Sequence, residues 1–370
     1  MISDDQLNQL ERLGALRDRG VLTPSEFEAE KRRILQASAP GAGPARRGSM
    51  FQSASDAITN QLGLERLEPL TVKHLFSEVF RKHDPDAVEN ILSVGTTLTT
   101  PALTPSVAAT PTPWIFFRIL LTTLLTYGIF IVAWGVWENP KLLPGLIIIG
   151  AFAVPFSMII LFFELNTPRN VSAPRAMHFL FVGGAASLLF TLVIGDLVPI
   201  FGVFGASAAG LIEEPAKLLA VVATLATLPR ERYPYRLNAL LFGACVGAGF
   251  AAFETAGYAL TAGDEARAAT LTIRGLLAPF GHVIWTAITS VAYWSAQRES
   301  ARLGDILTSR RFLPLMLTCM GLHFVWNMNF TGPFMIKYWV LGAIGWVIVL
   351  SLIQMGLREI NEAAAGAARP

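Results

Sequence analysis

The 370-residue chain is 53% hydrophobic and only 15% charged, against about 25% charged residues in an average soluble domain, and its mean hydropathy is +0.49. These values exclude an ordinary soluble enzyme, and a net charge of +2 without any basic-aromatic run excludes a nucleic-acid groove. Residues 1–113 carry 12 Lys/Arg and 14 Asp/Glu, leaving 17 and 13 for the rest, so a polar third precedes a membrane body.

In the polar third, Leu7, Leu10, Leu13 and Leu16 recur at helical spacing and Gly20 stands where a left-handed C-cap belongs. Thr23-Pro24-Ser25-Glu26 then supplies an N-cap, a proline in the first turn and a capping-box acceptor for a second helix carrying Phe27, Ile34 and Leu35. Such a hairpin, residues 1–36, is too small to bury a core alone, since domains below about 40 residues need a metal, disulfides or a partner. It is expected to pack on another protein or on a second copy as a homo-oligomer. The stretch resembles the SHOCT module, a short helical hairpin associated with oligomerisation. Residues 37–113 read as a Pro/Gly-rich linker and short helical patterns broken at Asp84-Pro85. His74 and His83 have no companion ligands there and are expected to be ordinary surface or packing histidines. The start carries charges of both signs and no apolar h-region, so no secretory signal is predicted.

The remainder predicts an all-α polytopic membrane protein. Eight stretches reach the roughly 20 apolar residues a span requires: 114–137, 142–164, 176–195, 203–228, 236–260, 272–296, 312–330 and 336–356. Within the fourth, the Gly- and Ala-rich 202–212 is expected to be irregular. The membrane domain is therefore 114–356, with 357–370 as a tail. Loops after even-numbered spans, with that tail, hold eleven arginines, whereas loops after odd-numbered spans hold four Lys/Arg. This asymmetry places both termini in the cytoplasm of a cell membrane, read as a bacterial inner membrane. Cys245 and Cys319 lie in apolar stretches and offer neither a disulfide framework nor a cysteine zinc site.

Ionisable groups inside spans are expensive and mark function by default. Here they are Glu213, Glu214 and Lys217 in the fourth span, Glu254 in the fifth, His282 in the sixth, and His323, followed by Asn327, in the seventh. Glu164 and Arg118 sit near span ends, where a structural role is expected. An alternating topology and a rise of about 1.5 Å per residue put Glu213, Glu254, His282, His323 and Asn327 some 17–27 Å above the cytoplasmic boundary. One polar chamber toward the outer side is expected. Glu213 and Lys217, at i and i+4, are predicted to pair, leaving Glu214 free, while Trp285 and Trp326 wall the chamber.

Glu213-Glu214-Pro215-Ala216-Lys217, Phe253-Glu254-x-x-x-Tyr258, His282-x-x-Trp285 and His323-x-x-Trp326-Asn327 resemble the four motifs of the PrsW family of intramembrane proteases. That family is related to the CPBP/ABI superfamily and its type II CAAX prenyl endopeptidases. Two departures from the endopeptidase patterns, Lys217 for an arginine and Glu254 for a histidine, argue against a prenyl-tail substrate. The resemblance implies an intramembrane endopeptidase that makes the first cut in a membrane-anchored protein, such as an anti-sigma factor, near its extracytoplasmic side. Two mechanisms stay open. In one, Glu213 or Glu214 activates water, His282 handles the proton and His323 with Asn327 stabilises the oxyanion without a cofactor. In the other, Glu213, His282 and His323 hold zinc as a His₂Glu set, although no H-E-x-x-H is present. From other classes, a proton-coupled transporter would use the same Glu/Lys/His chamber, and an inactive membrane scaffold would use the hairpin alone. The polar groups cluster in spans four to seven without internal repetition, which favours the enzyme.

Overall fold

The computed structural model describes residues 13, 27, 50–64, 75–83, 91–103, 111–330 and 332–367. The chain divides into two compact units, Met1–Ser53 and Ala54–Pro370; nearly all of the hairpin expected at 1–36 lies outside the described residues. Within the second unit the secondary structure is helical throughout the described residues.

The first helices are α1 (Met50–Gln61), α2 (Ile115–Trp137), α3 (Leu143–Leu165) and the short α4 (Ala173–His178). A π-helical turn, Phe179–Gly183, leads into α5 (Gly184–Leu197). Next come α6 (Ala209–Leu225), α7 (Arg236–Thr261), α8 (Asp264–Leu277) and α9 (His282–Gln297). The chain ends with α10 (Leu303–Thr308), α11 (Leu313–Trp326) and α12 (Ile336–Ala367). Among the described residues, six helical runs are long and apolar enough to cross a membrane. The fourth and seventh expected spans are shorter, with 17 residues in α6 and 14 in α11. α6 begins at Ala209 because the preceding segment, containing Gly202 and a left-handed Gly205 (φ 57°), makes only short turns. In the sixth expected span the α-helix breaks at the 3₁₀ turn Ala278–Phe280, where Pro279 cannot continue the hydrogen-bond ladder. His282 therefore becomes the first residue of α9 instead of a mid-span residue.

α7 is the spine of the bundle and is almost wholly buried from Leu237 to Ala252. It lies tightly against α9 because Gly243 and Gly247 present no side chain. A Cβ on Gly243 would stand 2.5 Å from Thr286 O, and one on Gly247 would collide with His282 O. Small residues four apart allow this approach between membrane helices, and here they bring α7 up to the N-terminus of α9. Phe242 stacks on Phe179 at 4.3 Å, locking α7 to the π-helical turn.

The two span-end charges have structural partners. Glu164 Oε1 accepts from the backbone N–H of Trp114 (2.9 Å) and Ile115 (3.0 Å), and Oε2 accepts from Phe116 (2.9 Å), so the end of α3 caps the start of α2. Arg118 lies over the Trp114 ring at 4.4 Å. His83 stacks on the same indole, 3.7 Å between centroids, a packing role, while His74 lies outside the described residues. Glu164→Gln should cost about 1–2 kcal/mol through the weakened cap, measurable as a lower thermal midpoint in detergent. An unchanged midpoint would show that the cap contributes nothing.

Candidate functional site

The site forms where α6, α7, α9 and α11 converge. α6 supplies Glu213, Glu214 and Lys217 within one turn and a half. α7 supplies Glu254 near its C-terminal end, α9 supplies His282 at its first residue, and α11 supplies His323 in its last turn. Two of these side chains, His282 and His323, therefore sit at helix ends created by the local sequence, and the other four sit on continuous helices.

Glu214 and Lys217 are fully buried. Lys217 Nζ donates to Glu214 Oε1 at 2.6 Å and lies 2.9 Å from His282 Nδ1. The same Glu214 oxygen meets His323 Nδ1 at 2.7 Å. The expected Glu213–Lys217 pair is thus replaced by an i, i+3 pair with Glu214. Both spacings put side chains on one helix face, and the face turned into the bundle is the one bearing Glu214. An ammonium only donates, so His282 Nδ1 accepts and its Nε2–H points to Glu254 Oε2, 3.2 Å away. Phe250 closes the cage beneath, its ring 4.9 Å from both Lys217 Nζ and the His282 ring centre.

Glu213 is the carboxylate left over. Its Oε2 is buried without a hydrogen-bond partner and lies 3.8 Å from His323 Nε2 and 4.0 Å from His282 Nδ1. One donor atom each from Glu213, His282 and His323 fall within 4.8 Å of one another. An orphaned carboxylate oxygen facing two imidazole nitrogens fits a His₂Glu metal set with a position left open. The Glu214–His323 bond fits as well, because a carboxylate on the far ring nitrogen fixes the tautomer of a ligating histidine. His282 would ligate through Nδ1, the nitrogen on Glu213's side, in exchange for its contact with Lys217.

Trp285 stacks on His323 at 4.7 Å and meets Trp326 edge-on at 5.4 Å, so both indoles wall the cluster. Tyr258 lies one turn beyond Glu254 and is half exposed. Asn327 caps α11, its backbone N–H reaching His323 O at 3.2 Å, and its side chain makes no hydrogen bond to the cluster among the described residues. Sequence reasoning missed Arg274. This residue, in the last turn of α8, forms an ion pair with Glu254, donates to Thr255 Oγ1 at 2.9 Å and lies over the Tyr258 ring at 4.5 Å. Its signal was available: a lone arginine among Leu271, Leu276 and Leu277, a few residues before His282. A cavity of about 70 Å³ opens beside His282, lined by Arg274, Thr255, Trp285 and Trp326, enough for a few waters.

The family described as PrsW family intramembrane metalloprotease matches residues 138–353, which include every residue of this cluster. The SHOCT short C-terminal domain matches residues 8–35, here at the opposite end of the chain. No curated protein and no solved structure matches the chain significantly.

Proposed function

Since the chain belongs to the PrsW family of intramembrane metalloproteases, we propose that Glu213, His282 and His323 hold its catalytic metal and that the enzyme makes the first cut in a membrane-anchored protein near the extracytoplasmic face. The observation that carries this reading is Glu213 Oε2, buried, unpartnered and aimed at both histidines. When bound, zinc supplies a Lewis acid and lowers the pKa of a bound water. The chain's own residues do the rest. Glu214 orients His323 through Nδ1. Lys217 neutralises Glu214 and keeps the buried charge of the cage near balance. Glu254, clamped by Arg274 and 3.2 Å from His282 Nε2, holds that ring in place and is the carboxylate able to exchange a proton through it. Trp285 and Trp326 exclude lipid and bulk water, which strengthens each of these interactions.

The arginine-rich loops support the outward position of this cluster, because α7 rises about 27 Å from Arg236 to Glu254. A substrate cut there is one anchored with its cleavable segment at the outer leaflet, as an anti-sigma factor is. The test is cleavage of a single-span reporter by purified protein in vesicles, with metal content measured on the same sample. Stoichiometric zinc and chelator-sensitive cleavage support the proposal. Full cleavage by metal-free protein would return the site to a glutamate mechanism.

A further inference from the structure

The molecule carries a second built feature at the opposite end of the bundle. Between the end of α6, the start of α7 and the end of α9 lies a cavity of about 480 Å³, floored by Val222, Leu225, Ala239 and Phe242. Tyr293 and Trp294 stand at its rim with Gln297 and Arg298. A second cavity of about 470 Å³ adjoins it, sharing Arg298 and lined by Arg236, Arg311, Arg358, Glu359 and Glu362. Gln297 ends the helix that His282 begins, so these cavities lie some 22 Å of helix rise away from the candidate metal centre and take no part in it.

Their chemistry is divided in a way that matches one class of ligand. The first cavity is apolar below and aromatic at the lip, as a chain-binding slot at the membrane interface is. The second carries four guanidiniums against two carboxylates in its lining. Glu359 accepts from Arg298 at 2.6 Å and lies 3.6 Å from Arg236, while Glu299 pairs with Arg311 at 2.8 Å. These bonds hold the guanidiniums in place around the cavity, and Glu231 adds one carboxylate to the apolar rim. Arg298 and Arg311 remain more than half exposed. Arg298 links the two cavities, stacking over Trp294 at 4.8 Å while its Nη1 reaches Glu359.

We infer that this joined pair of cavities binds an anionic phospholipid, with the phosphodiester at Arg298 and its neighbouring arginines and one acyl chain over Phe242. Basic pockets between membrane helices on the cytoplasmic side recognise anionic headgroups, and the arginine count puts this face on that side. The inference stands apart from the protease reading, since it uses none of the cluster's residues.

The experiment is native mass spectrometry of the full-length protein in detergent, titrated with dioleoyl phosphatidylglycerol, dioleoyl phosphatidylcholine and deacylated glycerophosphoglycerol. Phosphatidylglycerol should bind at least about fivefold tighter than phosphatidylcholine, and Arg298→Gln should erase about fivefold, the equivalent of ~1 kcal/mol per basic residue. Arg311→Gln, which leaves the Glu359 contacts intact, should do the same if Arg298→Gln folds poorly. Ala226→Trp, which fills the apolar cavity from an exposed position, should weaken binding without touching any arginine. Equal binding of the two phospholipids, or phosphatidylglycerol binding unchanged in all three variants, would overturn the inference. So would displacement of the lipid by the deacylated headgroup at equal concentration, because the apolar cavity would then be idle.

Discussion

Glu213→Gln should reduce cleavage of a reconstituted reporter by about three orders of magnitude and strip the protein of stoichiometric zinc, while leaving its thermal midpoint near that of the metal-free wild type. The amide keeps the shape of the side chain but loses the anionic oxygen that faces His282 and His323. Because Glu213 Oε2 makes no hydrogen bond, its neutralisation breaks no existing contact and relieves a buried unpaired charge. The three readouts together separate the mechanisms. Loss of zinc and activity assigns Glu213 as a ligand. Loss of activity from a wild type that never held zinc assigns it as the base. Retained zinc with retained activity would remove Glu213 from the site.

Lys217→Met should destabilise the protein by about 3–5 kcal/mol, because it leaves Glu214 as an uncompensated charge in a fully buried position. For a domain of this size that is a fall in thermal midpoint of roughly 10 °C. Methionine fills nearly the same volume, so packing loss is a small part of the effect. The double variant Lys217→Met/Glu214→Gln should recover much of the loss, since it removes the stranded carboxylate along with its partner. A double variant as unstable as the sum of the two singles would show that the ion pair is uncoupled. Activity separates the roles of the pair from its stability. Glu214 also bonds His323 Nδ1, so the double variant should stay folded and still cleave slowly, its histidine no longer held in one orientation.

These expectations depend on a cage whose members come from four helices spread over more than a hundred residues, yet the sequence made each member visible. Inside an apolar run a carboxylate or imidazole stands out because its burial is costly, and Glu213, Glu214, Lys217, Glu254, His282 and His323 were all legible on that ground. The rise per residue of antiparallel helices was enough to expect them at one level. Partner choice was less legible. Spacing allowed Lys217 to meet Glu213 or Glu214 equally well, and only the rotation of α6 in the bundle turns Glu214 toward Lys217 and His323.

What the sequence determined by itself was therefore the all-helical membrane architecture and the residues of the cluster, because hydropathy and the cost of buried charge are properties of a single segment. What only the tertiary structure decided was how the segments are cut and how the charges are paired. Gly205 falls in the stretch expected to be irregular, but that the break shortens α6 to 17 residues, and that a break at Pro279 puts His282 at a helix N-terminus, emerged from the folded chain. Arg274 gained its role once α8 folded back along α7 and brought it onto Glu254. The glycines at 243 and 247 became meaningful once α9 was found against them. Each of these is a relation between two helices, and the energy of a contact between surfaces distant in sequence is written in neither one alone.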